Sequence, residues 1–246
     1  MIPKKIHYCW FGGKPFGRLE EKCFKSWQKF FPDYDIIEWN ESNFDVSSCK
    51  YVAEAYKAGK WAFVSDYARF RILYQEGGVY LDTDVEVIAP FGEIVENAFM
   101  GCENPDKETP LAINPGLSFG ADAGHPFLLE MIEEYEKSSF YNEDGSENLL
   151  TIVERTTNHL KAHGAINTNE LQTVEGITIY PAEYFCPINM NTGELKVTRK
   201  TRSIHRYAAS WVDKKSKFRG RIYFLLVRLF GEDTAKKIRK ILRRTP

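Results

Sequence analysis

Asp82 and Asp84 stand one residue apart, just after the apolar run Val79-Tyr80-Leu81 and the glycine pair Gly77-Gly78. Paired carboxylates of this kind suit a hard cation. Mg²⁺ and Mn²⁺ take carboxylate oxygens and leave other positions to substrate phosphates. A strand through Val79, Tyr80 and Leu81 would be buried and would release both acids at its carboxyl end, where open α/β sheets bind ligands. Residues i and i+2 share one face of a strand, so both carboxylates are expected to point at one ion. The competing reading is a polar turn between two strands, and the neighbouring segments add weight to the metal reading.

Three other segments carry matching chemistry. In Ser65-Asp66-Tyr67-Ala68-Arg69, Asp66 and Arg69 lie three apart and share a helix face. That spacing makes an intrahelical ion pair, or, beside a bound diphosphate sugar, a cation for phosphate and an acceptor for sugar hydroxyls. Trp10-Phe11-Gly12-Gly13 places an aromatic ring at a strand end before flexible glycines, a platform for a base. In His205-Arg206-Tyr207-Ala208-Ala209-Ser210-Trp211, a neutral imidazole can complete a Mn²⁺ site, and Ser210 and the Trp211 indole can donate to phosphate.

The elements needed to position these residues follow from periodicity. Lys5–Trp10 reads as a buried strand, Leu19–Phe31 as a helix ended by Pro32, and Tyr34–Trp39 as a second strand. This βαβ unit predicts a parallel pair. Tyr51–Ala58 and Ala62–Gln75 read as helices, the latter closed by Gly77-Gly78. Val85–Ile88, Phe99–Cys102, Gly116–Phe119, Ile177–Tyr180 and Ser203–His205 read as extended, and His125–Glu136 and Asn148–His163 as helical.

The chain has 246 residues with 43% hydrophobic and 14% aromatic content, enough for one α/β domain with a substantial core. The formal net charge of −1 carries no global nucleic-acid signature. It conceals a basic tail. Lys214 to Pro246 holds 12 Lys/Arg against two acids, with Ala235, Ile238, Ile241 and Leu242 at helical spacing. That pattern suits a basic amphipathic helix on an anionic membrane face or against a partner. The five cysteines, Cys9, Cys23, Cys49, Cys102 and Cys186, have no zinc or redox spacing and read as reduced thiols of a cytosolic protein. No apolar leader segment follows Met1-Ile2-Pro3-Lys4-Lys5, and no apolar run is long enough to span a bilayer.

Four blocks in order carry a family resemblance: Ile6 to Gly13, Ser65 to Arg69, Gly77 to Asp84, and His205 with Ser210-Trp211. They resemble glycosyltransferase family 32 and its GT-A-fold relatives, which include capsular-polysaccharide and mannosyltransferase-like sugar transferases and, more remotely, glucosylating toxins. The resemblance covers residues 1–212. It implies a GT-A-like α/β domain, a single mostly parallel mixed sheet flanked by helices, with residues 213–246 as a separate basic helical tail. It implies transfer of a hexose or N-acetylhexosamine, with retention, from a nucleotide sugar to a surface-polysaccharide or lipid-linked glycan acceptor. UDP is the favoured nucleotide and GDP-mannose the alternative, with Mn²⁺ or Mg²⁺ as cofactor.

The same resemblance implies roles. Asp84 would bind the metal directly, Asp82 through water while facing the ribose, and His205 as a third ligand. Asp66 and Arg69 would hold the donor sugar, with Ser65, Tyr80 and Thr83 beside it. Trp10 would stack on the base, flanked by Phe11 and Gly12, and Asn40 would help to read it. Ser210 and Trp211 would contact the diphosphate. Asn114-Pro115-Gly116-Leu117-Ser118-Phe119-Gly120-Ala121 resembles the sugar-side loop, with Pro115 where a polar residue is usual. The expected location is cytoplasmic, peripheral at the inner face of the plasma membrane.

Two rivals differ in class. One is a dehalogenase-type phosphatase, whose Asp-x-Asp normally lies near the N-terminus. The other is a non-catalytic sugar-nucleotide-binding scaffold, which would be free to lose the acidic pair. His159 and His163 sit at i and i+4 of a helix like a zinc pair, but they lack the glutamate of the protease motif. They read as surface residues.

Overall fold

The computed structural model describes residues 2–104, 108–168, 170–189 and 192–208, with Tyr223, Val227, Gly231 and Thr234. The basic tail therefore lies almost wholly outside the described residues, as do Ser210 and Trp211.

The chain opens with β1 (Lys5–Cys9), α1 (Arg18–Phe30) and β2 (Asp35–Trp39), and the two strands pair in parallel as the βαβ reading predicts. Helix α1 buries Cys23 and Trp27, one turn apart, and its first turn carries Glu20 and Glu21 where the helix dipole favours acids. Helices α2 (Lys50–Lys57) and α3 (Trp61–Glu76) follow, then the short strands β3 (Gly78–Tyr80) and β4 (Val85–Val87). Next come β5 (Phe99–Cys102), β6 (Ile113–Ala121), α4 (Pro126–Glu136) and α5 (Ile152–Ala162). The described chain closes with β7 (Gln172–Val174), β8 (Ile177–Tyr180), α6 (Ala182–Phe185) and β9 (Ser203–His205). Strand β7 and helix α6 have three and four residues, too short to leave a periodic signal in the sequence.

Seven strands form one sheet in the order β2-β1-β3-β6-β5-β8-β7. Strands β1, β2, β3, β5 and β8 run one way, and only β6 and β7 run against them, so the sheet is mixed and mostly parallel. Strands β4 and β9 pair apart from it as a two-stranded ribbon. Both faces of the sheet are covered, and the side chains alternate between two cores as the pleat requires. Val79 and Leu81 join Trp27, Phe99 and Phe185 on one face. Tyr80 joins Tyr67, Phe70, Phe119 and Tyr135 on the other.

The turn from α3 into β3 is made by the glycine pair. Gly77 has φ +59 and Gly78 φ +112, values that side chains with a Cβ rarely adopt. A Cβ at Gly77 would also lie 2.8 Å from the Ala123 nitrogen, and one at Gly78 2.8 Å from the Lys5 carbonyl oxygen. The reversal locks β3 between β1 and β6.

His7 braces this turn from β1. Its Nε2 lies 2.8 Å from the Gly77 carbonyl, so it donates, and its Nδ1 accepts from the Trp39 indole at 3.0 Å. Both bonds are satisfied by a neutral ring. Burial pulls the His7 pKa down to about 4 against the Gly77 hydrogen bond. Below the ordinary value of 6.5 the unfolded chain takes up a proton that the fold refuses, so stability falls as pH drops from 6.5 towards 4. Between pH 7 and 5 this amounts to about 2 kcal/mol. Urea unfolding at the two pH values should show that loss in the native chain and a smaller one in His7→Gln; equal losses would contradict the assignment.

Candidate active site

Strand β3 stops at Tyr80, and the acidic pair lies beyond it. The Val85 N–H donates to the Asp82 carbonyl at 2.9 Å, so residues 82–85 form a tight turn. The expectation that Asp82 and Asp84 share one face of a strand is corrected here. Along a strand, residues i and i+2 are about 6.6 Å apart. The turn, with the ribbon beside it, instead brings ligand atoms of Asp82, Asp84 and His205 within 4.8 Å of one another.

The β4–β9 ribbon delivers the imidazole. Val85 lies directly opposite His205, and the Trp27 indole anchors Val85 by donating to its carbonyl at 2.7 Å. His205 Nε2 then sits 3.0 Å from Asp84 Oδ1. The other Asp84 oxygen accepts the Ala208 N–H at 2.7 Å, and the Asp84 carbonyl accepts the Arg206 N–H at 2.9 Å. Burial pushes the Asp84 carboxyl up, but His205 and the Ala208 N–H outweigh it and hold the group below the usual carboxylate range. Burial likewise draws His205 down, and the Asp84 charge more than reverses this, leaving the imidazole above its ordinary value. Across their 3.0 Å contact each group thus favours the charged form of the other.

Arg69 fixes Asp82. The helix spacing of Asp66 and Arg69 makes the expected ion pair, 2.9 Å between Nη2 and Oδ1. The same guanidinium reaches both Asp82 oxygens, at 3.2 and 3.4 Å, and lies 4.6 Å above the Tyr80 ring. Its Nε donates to the Ser65 carbonyl at 3.2 Å, and the Tyr80 hydroxyl donates to Asp82 at 3.2 Å. Arg69 is 3% exposed and Asp66 8%, whereas the Asp82 side chain keeps 28% of its surface open. The open carboxylate is thus the one the buried groups orient. Burial lifts the Asp66 carboxyl to about 7, with Arg69 pulling down and the Asp82 charge adding to the rise.

The other residues expected to contact a donor are placed by β1, β2, α3 and the acidic turn. Strands β1, β2 and β3 are parallel, with Cys9 opposite Trp39 and His7 opposite Tyr80, so their carboxyl ends coincide. Trp10, half-buried, donates its indole N–H to the Lys14 carbonyl at 2.5 Å and sets its ring edge-on to Phe16. Phe11 turns inward onto Phe44, and the Gly12 N–H donates to Glu41 at 2.8 Å. Asn40 caps its own turn, donating to Glu38 at 2.7 Å and accepting from Ser42 at 2.7 Å. Ser65 bonds the Trp61 carbonyl, and Thr83 lies half-buried within the acidic turn.

Further residues enter the site: Asn114 and Gly116 from the stretch that resembles the sugar-side loop, and Glu103 and Tyr207, for which the sequence implied no role. Gly116 on β6 faces Asp82 so closely that a Cβ there would lie 2.1 Å from Asp82 Oδ2 and 2.9 Å from Arg69 Nη1. Asn114, at the start of that stretch, accepts the Gly116 N–H at 2.6 Å and donates to Glu103 at 2.6 Å. Glu103 also accepts from the Tyr207 hydroxyl at 3.1 Å, and the Tyr207 ring packs on His205. Besides that resemblance, a glycine inside a buried strand is itself a signal, since it marks a close approach. Glu103 and Tyr207 lie about a hundred positions apart in the chain and left none.

Two carboxylates and an imidazole in this arrangement fit a Mn²⁺- or Mg²⁺-sized ion that keeps positions for phosphate oxygens. Residues 17–100 match the family described as the glycosyltransferase sugar-binding region containing a DXD motif. The match includes Asp66, Arg69, Asp82 and Asp84 and ends before His205. The chain is similar to inositol phosphoceramide mannosyltransferase 3 of Schizosaccharomyces pombe, 27% identical over 150 residues, or 56% of this chain. It spans 38% of that relative's length. Among solved structures it is similar to the PaToxG glycosyltransferase, with TM-score 0.49 and 17% identity over 66% of this chain and 72% of that one. It is also similar to a transferase at TM-score 0.41 and 11% identity, covering 66% and 86%. Through its acidic turn and the region around it, the chain is similar to the glycosyltransferase sugar-binding region containing a DXD motif.

Proposed function

We propose that this chain is a divalent-metal-dependent glycosyltransferase of the family 32 type. It would move a hexose or N-acetylhexosamine from a nucleotide sugar to a glycan or lipid-linked acceptor, with retention of configuration. The convergence of Asp82, Asp84 and His205 beside a buried arginine carries this reading. The fungal relative's name joins mannose to inositol phosphoceramide, which adds mannose and a lipid-linked acceptor to the candidates.

Asp84 and His205 would hold the ion from buried positions, and Asp82 from its more open one. Bound there, the ion acts as a Lewis acid for the negative charge that gathers on a departing nucleoside diphosphate. The chain's own part is orientation. Arg69 and Tyr80 together place two hydrogen bonds and a further ion-pair contact on Asp82, so its direction is set before any ligand arrives. Asp66 and Arg69 would meet the donor sugar at the same spot. Trp10 would stack on the base at the shared strand edge, with Asn40 beside it. Ser210 and Trp211 would donate to the diphosphate.

Thermal-shift measurements with UDP-, GDP- and CMP-sugars, with and without Mn²⁺, test the reading. A true donor at about 100 times its dissociation constant should add about 2.7 kcal/mol of stability, and only with metal present. Proton NMR of the first product should then show the donor's anomeric configuration. Stabilisation by no sugar nucleotide, or an inverted product, would overturn the corresponding part.

A further inference from the structure

A second cluster of metal-ligating side chains lies outside the acidic turn. Glu130 on α4, His159 and His163 on α5, and Glu175 between β7 and β8 place one ligand atom each within 4.8 Å of one another. The spacing of His159 and His163 reads in sequence as a surface pair without partners. The fold corrects that: the His159 side chain is 13% exposed and is faced by carboxylates from two other elements.

Glu175 arrives by way of a tight hairpin. Val174 pairs with Ile177, leaving only Glu175 and Gly176 in the loop, at φ +50 and φ +76. Positive φ at both central residues is what a type I′ turn requires. Glu130 comes from the neighbouring helix, so three separate elements supply the four ligands.

The four ligand atoms lie within 4.8 Å of one another, and three nitrogen–oxygen distances approach a tetrahedral edge, two of them to different oxygens of Glu175. His159 Nε2 lies 3.0 Å from Glu175 Oε2 and 3.2 Å from Glu130 Oε2, and His163 Nε2 lies 3.5 Å from Glu175 Oε1. Zn²⁺ bonds of 2.0–2.1 Å give a tetrahedron with edges of about 3.3 Å. The tautomer is also set. His163 Nδ1 is 3.0 Å from the His159 carbonyl, which can only accept, so Nδ1 carries a proton. In a neutral ring Nε2 is then a lone pair aimed at the Glu175 carboxylate, acceptor against acceptor. Such outer-shell bonding of one ring nitrogen to a backbone carbonyl is the usual support of a metal-bound histidine. The two imidazole rings lie with centroids 4.6 Å apart, which brings both Nε2 atoms to the Glu175 carboxylate. One divalent ion meets all four groups.

We propose that Glu130, His159, His163 and Glu175 form a structural Zn²⁺ site that clamps α4, α5 and the β7–β8 hairpin together. A full-length chain carrying Asp82→Asn and Asp84→Asn disables the acidic turn and isolates this site. In that background one equivalent of Zn²⁺ should bind in competition with a micromolar chelator, and Co²⁺ should give the intense visible absorption of tetrahedral coordination. Adding His163→Gln or Glu175→Gln should weaken binding by no less than the about 10–100-fold that loss of an outer-shell partner costs, with the circular dichroism unchanged. His163 has a side chain 44% exposed, so its substitution tests the site even if the Glu175 variant fails to fold. Absence of stoichiometric Zn²⁺ binding, a non-tetrahedral Co²⁺ spectrum, or unchanged affinity in His163→Gln would each overturn the site.

Discussion

Asp84→Asn is expected to lower sugar-transfer turnover by about 10²–10³-fold, the scale seen when one preorganised electrostatic contact is removed from a reacting centre. The substitution removes charge and little else. An asparagine side-chain oxygen can still accept the Ala208 N–H that Asp84 takes at 2.7 Å, and the Arg206 bond to the backbone carbonyl is untouched. The turn and the ribbon should therefore survive. His205, 3.0 Å away, loses its anionic partner, and a bound ion would lose its more buried carboxylate ligand. Initial rates titrated with Mn²⁺ separate the outcomes. A large fall in turnover with a weakened Mn²⁺ response fits direct ligation, whereas wild-type rates at ordinary Mn²⁺ concentrations would remove Asp84 from the metal centre.

Gly116→Ala should cost about 10²-fold in kcat/KM, the order expected when a functional group is displaced by about 1 Å. Gly116 does not need a left-handed backbone, so alanine is tolerated by the strand itself. The obstacle is the new methyl, which would stand 2.1 Å from Asp82 Oδ2, 2.9 Å from Arg69 Nη1 and 3.0 Å from Asn114 Oδ1. No pair of heavy atoms tolerates the first of these distances, so Asp82 must leave its seat on Arg69. A double-mutant cycle identifies the route. If Gly116→Ala acts by displacing Asp82, it should add little to the defect of Asp82→Ala. Full additivity in the cycle, or near-native activity of Gly116→Ala alone, would exclude that route.

Most helices were legible because each buries one face, and most strands because they are short apolar runs bounded by turn residues. Strands Phe99–Cys102, Ile177–Tyr180 and Ser203–His205 appear with the bounds their residues suggested. The strand expected at Gly116–Phe119 extends to Ile113–Ala121, since Asn114 and Pro115 are polar or rigid yet fully paired or enclosed. The Asp66–Arg69 pair was equally local, being a matter of helix spacing. Asp82 and Asp84 were recognised by type and position, but the geometry assigned to them was wrong. A strand face was expected, and a turn closed by the Val85 N–H does the work instead. That bond depends on where β4 goes next, and β4 leaves the main sheet to pair with β9, more than a hundred residues onward.

Residue order alone thus specified the chemical inventory: an acidic pair after a buried strand, a helical Asp–Arg couple, an aromatic ring before glycines, and a late histidine. These are short-range properties, decided by side-chain type and by periods of two or 3.6 residues. Pairing across the chain decided the rest. The register of Val85 with His205 set the 3.0 Å contact to Asp84, and the approach of β6 made Gly116 the floor beneath Asp82. The type I′ hairpin carried Glu175 to His159 and His163. Such contacts form only when distant segments pack, because their energy comes from burial and ladder pairing shared by both partners, and neither partner's local sequence encodes the other.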